Sequence, residues 1–143
     1  MATIATTTAK DIDNTYDDPK HRAPLVLGGK DFNDVTNAVC NVAERPTTLA
    51  IVPAGYADGL DLRLAGRGVV LIRGRRAPIV GSVCMDMLMA DVTGMDVSPG
   101  DEVVIIGAQG DDRIDAREMA AAVGTIPWEV VCRVGSRIER VYR

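Results

Sequence analysis

The side chains able to do chemistry in this chain stand mainly in two short stretches, GYADGL at 55–60 and CMD at 84–86. The first sets a phenol, Tyr56, between Gly55 and Gly59 and two residues ahead of Asp58. The second sets a thiol, a thioether and a carboxylate side by side as Cys84, Met85 and Asp86. A tyrosine so framed is either an acid–base or binding group on an active-site loop or an aromatic carried by a hairpin turn. The six residues alone leave both readings open. Met85 likewise reads either as a site residue or as core filler, and Asp86 as a site residue or a strand-end turn residue.

Absence limits the chemistry further. Residues 46–143 contain no lysine and no histidine. A Ser-His triad and an ordinary zinc site are thereby excluded from this region, and so is a lysine Schiff base to a carbonyl compound. Proton transfer is left to carboxylates, thiols and the phenols of Tyr56 and Tyr142, so residues 46–143 are not expected to form a complete active site alone. Cys40, Cys84 and Cys132 are odd in number and lack metal-ligand spacing, which predicts buried free thiols and no metal site.

The elements that must position these groups fall in the second part of the chain. At 143 residues there is room for one domain and a tail. Only five residues are aromatic (Tyr16, Phe32, Tyr56, Trp128, Tyr142), so the core must be aliphatic. A net charge of −4 with both signs interspersed predicts no nucleic-acid surface. No apolar run approaches the ~18 residues of a membrane span. The opening MATIATTTAK lacks the apolar core of a signal peptide, so a cytoplasmic location is expected. Residues 1–45 hold all three lysines (Lys10, Lys20, Lys30) and the single histidine, His21. They read as a largely irregular segment, poorly ordered over roughly 1–24. Gly28 and Gly29 before Lys30 lack the spacing of a phosphate loop and read as a turn.

From Pro46 onward TTLAIVP, GVVLIRG, APIVGSV, MLMADVT and EVVIIGA are short, β-branched and apolar. Turn signals at 58–59, 66–68, 73–76, 93–94 and 98–101 separate them, as in a compact barrel or sandwich. In LMADVT, Leu88, Ala90 and Val92 share one face, with Asp91 and Thr93 on the other, which is a half-buried strand. Asp115 with Glu118 forms a capping-box pattern ahead of REMAAAV, and Gly124 can end that helix. PWEVVCRV predicts a shorter helix with Pro127 in its first turn. The fold class predicted for 46–143 is therefore mainly β and barrel-like, with one or two short helices near the C-terminus.

AERPTTLAIVPAGYADGL, RAPIVGSVCMDMLMADVT, PGDEVVIIGAQG and TIPWEVVCRVGSRIERVYR, taken in order over about 43–143, resemble the C-terminal domain of alanine racemase. The resemblance implies a pyridoxal-phosphate enzyme that interconverts L- and D-alanine for peptidoglycan. In that family a TIM-type barrel binds the cofactor, and the mainly β domain of the partner subunit closes over it. Racemisation takes a proton from one face of the substrate carbon and returns one to the other, so two acid/base groups must flank it. The family uses a barrel lysine and a tyrosine of the partner's C-terminal domain.

By that resemblance Tyr56 lines the substrate entrance, and Asp58 and Gly59 shape its loop. Met85 and Asp86 lie beside the substrate carboxylate, with the Met85 backbone N–H as donor, and Ser136 falls where some members contact the cofactor phosphate. The family's catalytic tyrosine lies nineteen residues before Tyr56, which here is Asn37, with Ala38 in place of glycine and Asn41 at a second tyrosine position. Ser82 replaces an entrance arginine and Met87 a glutamine. No catalytic residue is therefore expected to be intact. A barrel takes ~250 residues, more than the preceding segment supplies, and that segment does not resemble a barrel's end. The expectation is a chain that is inactive by itself, binds no pyridoxal phosphate alone, and works with an alanine racemase-type barrel or as a homo-oligomer. The alternative is a non-catalytic β module or truncated remnant that only self-associates.

Overall fold

A computed structural model describes residues 4–8 and 47–142. The expectations placed on Lys10, Lys20, His21, Lys30, Asn37, Ala38, Cys40 and Asn41 lie outside the described residues. The fold is a mainly β antiparallel sheet with two short helices. Its strands are β1 (Ile4–Thr8), β2 (Leu49–Val52), β3 (Val69–Ile72), β4 (Arg75–Val80), β5 (Leu88–Asp91), β6 (Glu102–Gln109) and β7 (Asp112–Ile114). They pair in the order β1-β6-β3-β4-β5-β2, with β7 added to β6. The helices α1 (Ala116–Val123) and α2 (Pro127–Cys132) follow. No helix among the described residues is long and apolar enough to cross a membrane.

Strand β4 folds the sheet on itself. Its first half pairs with β3, from Ile72↔Arg75 to Val69↔Pro78. Its second half pairs with β5 through Ile79↔Ala90 and Val80↔Met89. The two halves of the sheet therefore share one aliphatic core, in which Val70, Leu71 and Val103 of one half meet Val52, Leu88 and Ala90 of the other. The alternation read in LMADVT is realised: Leu88, Ala90 and Val92 are buried, whereas Asp91 and Thr93 are not.

The expected helix boundaries hold. The Asp115 carboxylate accepts from the N–H groups of Arg117 and Glu118, both at 2.9 Å, and Gly124 ends α1 in the left-handed region at φ 73°. Pro127 occupies the first turn of α2. Three features differ from the sequence reading. The turn expected over 73–76 is confined to Arg73 and Gly74, both at positive φ, which is the tight hairpin geometry that matches strand twist. Arg75 and Arg76 belong to β4 instead. Strand β7 has only three residues, of which Ile114 alone is buried, so it carried no periodic signal. Within the segment read as largely irregular, the β-branched run IATTT forms β1, which pairs antiparallel with β6 from Ile4↔Ile106 to Thr8↔Glu102.

Candidate active-site face

Tyr56 sits in a 3-10 turn, Tyr56–Asp58, between β2 and β3. The turn closes on itself: Gly55 N–H donates to Asp58 Oδ2 at 2.9 Å, and Asp58 N–H donates to the Gly55 carbonyl at 3.0 Å. A short backbone ladder then joins it to the CMD stretch. Tyr56 N–H donates to the Cys84 carbonyl at 2.9 Å and Ala57 N–H to the Met85 carbonyl at 2.8 Å. So close an approach needs glycine at 55, because a Cβ there would lie 2.2 Å from the Cys84 oxygen. The CMD stretch is itself held as a turn by Cys84 N–H donating to the Met87 carbonyl at 2.8 Å.

The structure thus brings Tyr56, Met85 and Asp86 onto one face, all three exposed to solvent. Tyr56 is 47% and Met85 56% exposed, which removes the core-filler reading of Met85. The Met85 N–H takes no acceptor among the described residues. Ser136 is exposed and follows Gly135, whose N–H donates to the Asp58 carbonyl at 3.4 Å. The Tyr56 loop is therefore gripped at its start by 84–86 and at its end by 133–137.

Sequence reasoning missed the residues that fasten that second end. Asp61 is the one buried charged side chain among the described residues. It accepts from Arg63 N–H at 2.8 Å and from Arg63 Nη2 at 2.6 Å, and it pairs with Arg133 Nη1 at 3.2 Å. Hydrogen bonding from the Arg63 guanidinium, aided by the Arg63 N–H and the charge of Arg133, outweighs burial and holds the Asp61 carboxyl at a pKa of about 2. An aspartate two residues ahead of an arginine is too common a pattern to have marked it. The thiols also differ from expectation: Cys84 is free but only half-buried, and Cys132 is free and exposed on the short helix α2.

This face is open. Two shallow hollows on the described residues measure about 10 and 30 Å³ and involve neither Tyr56 nor Met85, far below the ~300 Å³ at which ligand pockets begin. No group of three or more His, Cys, Asp and Glu side chains among the described residues is placed to hold a metal ion.

The family model described as "Alanine racemase, C-terminal domain" matches residues 33–142. The chain belongs to the alanine racemase family. The match begins about ten residues earlier than the resemblance traced above, so it includes positions 37 and 41. An alanine racemase of Desulfosudis oleivorans is 52% identical over 99 residues, covering 68% of this chain and 25% of that protein. The alanine racemase structure from the D-cycloserine producer Streptomyces lavendulae superposes with a TM-score of 0.66 at 34% identity, covering 99% of this chain and 31% of its own. That of Bartonella henselae, with covalently bound pyridoxal phosphate, gives 0.64 at 34% identity over 72% and 29%. The chain therefore spans about a quarter of the length of the curated relatives it matches. The described residues by themselves do not fit that cofactor. They contain no lysine for a covalent link to it, and neither of the two hollows is lined by Tyr56 or Met85.

Proposed function

We propose that this chain supplies one wall of an alanine racemase site to a cofactor-bearing barrel that lies outside these 143 residues, acting in the cytoplasm on the alanine that peptidoglycan synthesis uses. The reading is carried by one observation. Two backbone hydrogen bonds, Tyr56 to Cys84 and Ala57 to Met85, unite the two family motifs on one solvent-exposed face. In this reading Tyr56 lines the route by which alanine enters. The Met85 N–H, which takes no acceptor among the described residues, offers a hydrogen bond to the substrate carboxylate, and Asp86 borders it. Ser136 stands toward the cofactor phosphate that the barrel would hold. Asn37 occupies the position of the proton-exchanging tyrosine, and a carboxamide has no proton to exchange near neutral pH. The chain then binds substrate-side groups without sustaining the full rate, since losing one general acid/base group costs about 10²–10⁴-fold.

The test mixes the full chain with the cofactor-loaded barrel of a relative lacking its own C-terminal domain, and follows alanine racemisation in both directions. A complex with weak activity is expected, raised by about 10²–10⁴-fold in the variant carrying Asn37→Tyr and Ala38→Gly. Full activity from the unmodified chain would move the base to another residue, Tyr56 first among them. Absence of a complex would favour the second reading, a self-associating β module. That alternative is supported by the exposed apolar side chains of Ile51, Met85 and Met87.

A further inference from the structure

Asp61 does more than cap the turn that follows it. A cap requires only the hydrogen bond from Arg63 N–H. Asp61 also reaches Arg133 at 3.2 Å, and Arg133 is fixed from its other side by Glu129, whose Oε1 accepts from Nη2 at 2.6 Å. Glu129 in turn accepts from the Thr125 hydroxyl. A line of polar contacts therefore runs from the Tyr56 loop through α2 to its leading turn. The backbone is locked at the same place: a Cβ on Gly59 would lie 2.2 Å from the Arg133 carbonyl oxygen. Beyond it, Gly135 N–H meets the Asp58 carbonyl and Arg137 Nε lies 3.6 Å from Asp58 Oδ1.

We propose that Asp61 is a positioning residue of the candidate site: through Arg133 it fixes where the 133–137 segment, and with it Ser136, stands against the Tyr56 loop. It touches neither Tyr56 nor Met85 and acts only through its partners. The inference rests on the reading of this face as a racemase wall, but the contacts it concerns lie wholly within this chain.

The discriminating variant is Asp61→Asn in the full chain, because asparagine caps as well as aspartate yet gives up the charge that holds Arg133. Amide hydrogen exchange and the ¹⁵N–¹H shifts of Gly135 and Ser136 are followed, with the amides of α1 as an internal reference. Exchange at Gly135 is expected to quicken about tenfold in Asp61→Asn and in Arg133→Gln, and in the double variant by clearly less than the product of the two, because the two residues share the Asp61–Arg133 contact. A purely capping role predicts no change at Gly135 or Ser136 in Asp61→Asn, and that result would overturn the proposal. So would single-variant effects that simply multiply. Should Asp61→Asn fail to fold, Arg133→Gln carries the test, removing the partner from the more exposed side. With a cofactor-loaded barrel added, Asp61→Asn should raise the KM for alanine several-fold. If the wild-type chain supports no racemisation, the racemase reading fails, while the exchange data still decide whether Asp61 positions Ser136.

Discussion

Gly55 shows how one residue decides whether the candidate face exists. Its backbone is extended, at φ −149° and ψ −160°, so any residue could adopt its conformation. What it lacks is room. The missing Cβ would lie 2.2 Å from the Cys84 oxygen and 2.6 Å from the Asp86 nitrogen, neither of which is a flexible side-chain end. Gly55→Ala must therefore push the two stretches apart and break the ladder from Tyr56 and Ala57 to Cys84 and Met85. A loss of about 3 kcal/mol is expected, at the upper end of overpacking costs, read as a lower urea midpoint. A midpoint unchanged within error would mean that the two stretches are not in direct backbone contact.

Among elements, the polar links between the Tyr56 loop and the C-terminal region make stability depend on acid. Asp61 titrates at about 2 when folded, against an ordinary aspartate value of 3.8. A depressed carboxylate stabilises the fold fully above its unfolded pKa and loses that contribution as pH falls through the folded one. The window for Asp61 is thus from about pH 4 down to about pH 2. The ionisation difference corresponds to at most ~2.5 kcal/mol. Arg63 and Arg133 are nearly half exposed, and solvent screening reduces the expected contribution to about 1 kcal/mol. Asp101, Asp112 and Asp115 shift in the same direction, led respectively by hydrogen bonds from Arg73, from Arg76 and from the Glu118 backbone N–H. Urea midpoints taken between pH 6 and pH 2.5 should fall for the wild type and fall less for Asp61→Asn. Parallel curves for the two proteins would remove Asp61 from the acid response.

For the whole molecule, the outer face of the sheet is the main liability. Register places Ile51 opposite Met89 and Met89 opposite Val80, so these three form one row across β2, β5 and β4. Ile51 is 38% exposed, and Met85 and Met87 are exposed as well. Without a barrel, the chain is expected to self-associate at moderate concentration, and Ile51→Lys should lower the apparent mass measured by light scattering. A strict monomer at high concentration, for wild type and variant alike, would remove self-association from consideration.

The sequence by itself determined the chemical inventory and the local elements. The lack of lysine and histidine after residue 45 was plain from composition. Strands with a strong apolar signal and both helices were legible because alternation, caps and turn residues act within a few positions of one another. GYADG and CMD marked the family for the same reason, each being a compact pattern. Only the tertiary structure decided what those patterns do together. That Gly55 lies against Cys84, that Gly59 lies against Arg133, and that the Asp61 carboxylate reaches Arg133 depend on how the chain packs on itself. Such contacts join residues far apart in the chain, and no spacing rule records them. β7 escaped notice because three residues with a single buried side chain leave no period to read. The exposure of Met85 was equally hidden, since an apolar residue beside a strand looks the same in sequence whether it faces the core or solvent.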